Sequence, residues 1–220
     1  MKILAISDRA DKALWDYYTP EKLDGVELIL SCGDLDPAYL EFLVTMTNAT
    51  LLYVRGNHDS KYDHKPPQGC IPADGRLIDF HGIRILGLGG SMRYKPGSDM
   101  YTEEEMRRRI RKTRIRLAVT GGFDILMTHA PVKGYGDMED LPHRGFACFE
   151  ELLQKYRPAY MLHGHVHREY GRFPREIEHP CGTRIVNTCG HVLLDLPEKE
   201  PAGNVKSMSV LYRWAVRRRN

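Results

Sequence analysis

The sequence lacks any pairing pattern among its cysteines: Cys32, Cys70, Cys148, Cys181 and Cys189 form an odd, widely spaced set without a C-x-x-C pair. That argues against a disulfide framework and suits reduced thiols, so the expected compartment is the cytosol. No apolar run reaches membrane-spanning length, and charge appears at Asp8 before the apolar region of an export signal could form. Neither export nor membrane insertion is expected. Charge of one sign is also scarce. Lys and Arg number 32 against 29 Asp and Glu, a net charge of +3, too little by itself to nominate nucleic acid as a partner. No repeat, low-complexity tract or composition shift marks a linker, and 220 residues suit one core, so the chain is read as a single domain over residues 1–220.

What is present is a set of short apolar runs that stop abruptly at polar residues. Residues 3–7 run into Asp8, residues 28–32 into Gly33-Asp34, and residues 51–54 into Gly56-Asn57-His58-Asp59. Residues 125–128 run into His129, and residues 160–162 into the segment His163 to His167. Continuous apolar runs of this length read as buried strands. Helix-like stretches over 38–46, 103–117 and 146–156 alternate with them, which argues for an α/β layered fold, where functional groups collect beyond the carboxyl ends of strands. Residues 77–88 read as two strands around His81-Gly82, and residues 183–216 as further strands broken by Pro197 and Pro201.

Any single Asp or His at a strand end is more often structural than functional. The joint pattern is more specific: Gly-Asn-His-Asp and Gly-His-Val-His each follow an apolar run, in company with Asp8, Gly33-Asp34 and His129. Carboxylate, amide oxygen and imidazole suit manganese, iron or zinc, and the absence of cysteine at these points favours a hydrolytic centre over a structural one. By contrast, the basic run 107–116 reads as the solvated side of an amphipathic helix, with Met106, Ile110, Thr113 and Leu117 on the other face. Arg217-Arg218-Arg219 reads as an exposed tail.

From residue 8 to residue 167 the motif order resembles the calcineurin-like metallophosphoesterase family. The resemblance implies a four-layer α-β-β-α sandwich of two mixed sheets flanked by helices, with a metal site at one sheet edge. It implies two divalent cations, manganese favoured and iron or zinc as alternatives. Asp34 would bridge both ions, Asp8 and His167 would complete one site, and Asn57, His129 and His165 the other. His58 would bind the phosphate and protonate the leaving alkoxide, with Asp59 or Asp36 to orient it. The reaction implied is attack of a metal-bound hydroxide on a small phosphate ester, a phosphodiester in preference to a phosphomonoester.

Two other readings stay open: a nuclease on DNA or RNA, and a non-catalytic scaffold that keeps the fold. One position departs from the family's D-x-H, because the chain has Asp8-Arg9-Ala10 and a methyl cannot ligate a metal. The first site is therefore expected to bind its ion more weakly. Arg9 cannot ligate either, since its guanidinium stays protonated, but it could meet a substrate oxygen. The loop from Lys133 to Pro142 and the following His143 could reach over the metals. Gly33, Gly56 and Gly164 are expected in tight turns beside them.

Overall fold

The computed structural model describes residues 1–167, 170–171, 174–197 and 210–216. Its elements begin with β1 (Lys2–Ser7), β2 (Val26–Ser31), α1 (Pro37–Met46), β3 (Thr50–Tyr53) and β4 (Ile71–Pro72). Next come β5 (Leu77–Phe80), β6 (Ile83–Leu88), β7 (Ser91–Met92), β8 (Met100–Tyr101), α2 (Glu103–Thr120) and β9 (Ile125–Thr128). The chain continues with α3 (Ala147–Tyr156), β10 (Tyr160–His163), β11 (Glu176–Glu178), β12 (Arg184–Asn187), β13 (Gly190–Asp195) and α4 (Val210–Ala215).

Two large mixed sheets result. The first runs β13-β1-β2-β3-β4, parallel except for the antiparallel β13. The second runs β11-β12-β10-β9-β6-β5, with a parallel centre and antiparallel strands at both edges. The layering follows from the two-residue period of the strands. In β1, Ile3 and Ala5 join Leu28, Leu30, Ile85, Ile125, Met127 and Leu162 in the core between the sheets. The alternate residues Leu4 and Ile6 pack outward with Ile29 and Leu51 against Tyr39, Leu40 and Leu43 of α1. On the far side, Leu86, Leu126 and Met161 pack outward against Met106 and Leu117 of α2 and Phe149, Leu152 and Leu153 of α3. Strands buried on both faces read as unbroken apolar runs, which is why the sequence shows them so plainly.

The α2 helix has the two faces its sequence suggests: Met106, Thr113 and Leu117 are buried and Ile110 is half-buried. Thr102 and Glu105 form a capping box at its start, and Gly121 closes it with a left-handed φ of 71°. Three of its basic residues have acidic partners. Arg107 pairs with Glu103 and Glu151, Arg109 with Asp74, and Arg111 with Glu104.

The C-terminal region requires a correction. Residues 184–187 and 190–195 are strands as expected, but Val210–Ala215 is helix. Tyr212, Ala215 and Val216 turn inward at spacings of three and four, a helical period that the apolar composition alone does not reveal. Tyr212 Oη donates to Asp79 Oδ2 at 2.6 Å, fastening α4 to β5. The arginines at 217–219 lie outside the described residues. Among the described residues, no helix is long and apolar enough to cross a membrane.

Candidate metal centre

Asp8, Asp34, Asn57, His58, His165 and His167 line one open cleft of about 260 Å³, together with Tyr94, Pro142, His143 and Tyr170. His129 lies fully buried against the same group, its ring 4.8 Å from that of His165. The cleft is not at one sheet edge, as the resemblance led us to expect. It sits at the end of the sandwich, where the carboxyl ends of β1, β2 and β3 from one sheet meet those of β9 and β10 from the other.

The chain turns sharply to deliver these groups. Asp8, Asp34 and His165 have φ of 61°, 58° and 70°, a region that non-glycine residues rarely occupy and that clusters at functional sites. Gly33 also turns at positive φ, 97°. Gly56 and Gly164 also open turns, Asp59 N donating to Gly56 O at 3.4 Å and Val166 N to Gly164 O at 2.8 Å. A Cβ at Gly56 would strike the Asp34 carboxylate and come within 2.7 Å of His129 Cε1, and one at Gly164 would come within 2.5 Å of Asp8 Oδ2. These two glycines make room for the Asp34, His129 and Asp8 side chains.

Backbone carbonyls, which can only accept, fix the imidazoles. His129 donates Nδ1–H to Cys32 O at 2.8 Å, so Nε2 points at Asn57 Oδ1, 3.1 Å away, and Asp34 Oδ2, 3.3 Å away. His165 donates Nε2–H to Pro142 O at 2.7 Å, which leaves Nδ1 with its lone pair. One atom each from Asp34, His129 and His165 can lie within 4.8 Å of the others. Imidazoles that ligate metals characteristically have the second nitrogen anchored in this way.

Asp8 is held differently. Its carboxylate accepts from His165 N at 3.0 and 3.1 Å and from Ser7 Oγ at 2.6 Å, and its Oδ1 lies 3.7 Å from His167 Nε2. Ala10 and Arg9 are exposed, and neither lines the cleft.

The electrostatics describe a site that attracts positive charge. Burial opposes charge on His129, but Asp34 and Asp8 outweigh it and push the imidazole up to about 9. Burial raises Asp34, but the nearby His129 and hydrogen bonds outweigh it, so the carboxylate stays below its usual range. Burial raises Asp8 above that range. Burial and the nearby His129 push His165 down to about 3, leaving its lone pair free. At His129 Nε2, two oxygen acceptors face a nitrogen that can satisfy them only by carrying a proton. A divalent cation between them would take that proton's place, so the donor set fits a metal.

His58 is exposed in the cleft, and its backbone N–H donates to Asp34 Oδ1 at 2.8 Å. Neither carboxylate expected to orient its ring does so. Asp59 is buried, and its Oδ2 accepts from Asp34 N and Gly56 N, each at 2.8 Å. Burial pushes Asp59 up to about 6. Asp36 caps α1 through Ala38 N and pairs with Lys61 Nζ at 2.9 Å. The loop after β9 does reach over the centre. His143 lines the cleft 5.3 Å from the His165 ring, and its Nδ1 meets Asp140 Oδ2 at 2.7 Å. Tyr94 and Tyr170, which complete the rim, carry no signal in the sequence.

The profile of the calcineurin-like phosphoesterase superfamily domain matches residues 1–199. The UPF0046 protein T07D4.2 of Caenorhabditis elegans is 39% identical over 105 residues, which is 46% of this chain and 25% of that protein. The match thus spans about a quarter of that relative's length. Among solved structures, one crystal structure superposes with a TM-score of 0.64 at 13% identity, covering 88% of this chain and 94% of its own. The structure of TT1561 of Thermus thermophilus gives 0.54 at 14% identity, with 86% and 89% covered. At these identities the likeness is one of fold.

Proposed function

Because this chain belongs to the calcineurin-like phosphoesterase superfamily, we propose that it hydrolyses a small phosphate ester with the help of two divalent cations. A phosphodiester is favoured over a phosphomonoester, and manganese over iron or zinc. The superfamily typically binds divalent metals. The observation that carries the reading is the orientation of two imidazoles: carbonyls of Cys32 and Pro142 occupy the outer nitrogens of His129 and His165, leaving the inner ones beside Asp34.

Asn57, His129, His165 and the shared Asp34 would hold one cation, and Asp8, His167 and Asp34 the other. When bound, such ions supply an activated water and neutralise phosphoryl oxygens. The chain's own contribution is to orient and to move a proton. His58, exposed in the cleft with its backbone tied to Asp34, meets the ester and protonates the departing alkoxide. A small-molecule substrate is favoured over a nucleic-acid strand, since Arg107, Arg109 and Arg111 of α2 are engaged by carboxylates. Five unbridged thiols support a reducing compartment, the cytosol.

The test is metal content together with hydrolysis of a panel of mono- and diesters. Chelation should abolish turnover and manganese restore it; full activity in excess chelator would sink the proposal. His58→Ala should spare metal content and lower turnover by about 10²-fold or more on alkyl esters, and less on activated aryl esters. Equal losses on both would reduce His58 to a phosphate-binding role.

A further inference from the structure

Among residues that do not line the cleft, on the turn between β11 and β12 and the facing α3, a thiol, an imidazole and a carboxylate stand in line. Cys181 Sγ lies 2.9 Å from His179 Nδ1, and His179 Nε2 lies 2.8 Å from Glu150 Oε2. We propose that Cys181 is a nucleophilic thiol, with His179 as its base and Glu150 as the group that orients the base, and that it is a modification site for hydroperoxides and soft carbon electrophiles.

The tautomer follows from the partners. A carboxylate can only accept, so His179 Nε2 carries the proton and Nδ1 the lone pair. Cys181 N donates to the same Nδ1 at 3.2 Å, which agrees with an unprotonated nitrogen there. The imidazole is almost fully buried, and Tyr135 covers it with ring centroids 4.5 Å apart. It therefore has little freedom to leave the thiol. The turn holds the pair in register through His179 N to Thr183 O at 2.8 Å and Gly182 N to His179 O at 2.7 Å. Thr183 Oγ1 lies 3.3 Å from the sulfur but donates its own proton to Pro158 O at 2.7 Å, so towards Cys181 it can only accept. The nearer base is His179.

The step balances without any group the protein lacks, apart from the peroxide itself. As the sulfur attacks one peroxide oxygen, the thiol proton passes to His179 Nδ1, the S–O bond forms and the O–O bond breaks. The proton then goes to the departing oxygen. Sulfur is oxidised by two electrons to a sulfenic acid while hydrogen peroxide is reduced to water. Glu150 stabilises the imidazolium that forms in between, as a carboxylate does for a base beside a nucleophile.

The chain carries its own control. Cys70 is also half-buried, but its sulfur faces the Gln68 carbonyl at 3.5 Å, and burial together with Glu41 pushes it up to about 12. The experiment treats the reduced full-length chain with limiting iodoacetamide at neutral pH and reads the alkylation of each cysteine by peptide mass spectrometry. Cys181 should react at least about tenfold faster than Cys70. His179→Gln should bring it to the Cys70 rate, and Glu150→Gln, at a partly exposed position on α3, should slow it severalfold without touching the thiol or the base. Hydrogen peroxide followed by dimedone should give an adduct at Cys181. Equal rates at Cys70 and Cys181 in the unaltered chain, or an unchanged Cys181 rate in Glu150→Gln, would overturn the assignment. Alkylation without a dimedone adduct would overturn its peroxide part.

Discussion

On one side of the cleft, His129 and His165 are each locked by a carbonyl on the outer nitrogen, and His129 is wholly buried. On the other side, His167 stacks on the Tyr170 ring at 5.0 Å and comes within 3.7 Å of Asp8, while Ala10 stands exposed where the family pattern has an imidazole. Under the proposed two-ion arrangement, the difference separates two ways of holding an ion. The first half would have its geometry set before a cation arrives, and the second would offer fewer ligands and a side chain held by a ring face. Affinity should follow that order, because a preformed ligand set loses less entropy when the ion binds.

The largest effect is expected at Asp34, the residue both halves would share on the proposed assignment. Asp34→Asn should lower turnover by about 10³-fold or more and remove at least one ion per chain, read by steady-state kinetics and elemental analysis. Retention of two tightly held ions by that variant would mean that Asp34 does not bridge. A smaller effect is expected one layer out. Asp59→Ala frees the backbone N–H groups of Asp34 and Gly56, and should weaken metal affinity by about 10- to 100-fold. Unchanged affinity would show that Gly33 and Gly56 fix the loop on their own.

The smallest effect sharpens the contrast itself. In a metal titration, the unaltered chain should hold one ion firmly and the second roughly tenfold or more weakly, since affinity depends on ligand number. Ala10→His should narrow that gap. Two equal, tight sites in the unaltered chain would mean that a further residue supplies the missing ligand.

Much of this arrangement is legible in the sequence because parallel strands buried on both faces leave unbroken apolar runs, and each run stops where the chain reaches the polar centre beyond the strand ends. Asp34, Asn57 and His129 stand out for that reason. The α1, α2 and α3 helices begin and end within three residues of their expected limits, since Pro37, Thr102 and Gly121 are ordinary helix punctuation. What escapes is whatever depends on backbone oxygens or on distant packing. The carbonyls of Cys32 and Pro142 anchor two imidazoles, yet a carbonyl has no residue-type signature. Asp59 suggests itself as a partner for His58 because it is adjacent in sequence, whereas its side chain folds back to hold Asp34 and Gly56. The α4 helix passes for strand because its inward face is only Tyr212, Ala215 and Val216, too short to declare a period.

The left-handed backbone at Asp8, Asp34 and His165 has a consequence for the folding landscape. Each such residue costs on the order of 1 kcal/mol relative to an ordinary conformation, so three of them close together make the centre a locally frustrated patch. Asparagine tolerates this region nearly as well as aspartate, so Asp34→Asn removes a negative charge while leaving the turn intact. A cation that bound only the folded centre would offset part of the frustration by mass action, and would tie the chain's resistance to unfolding to the metal supply around it.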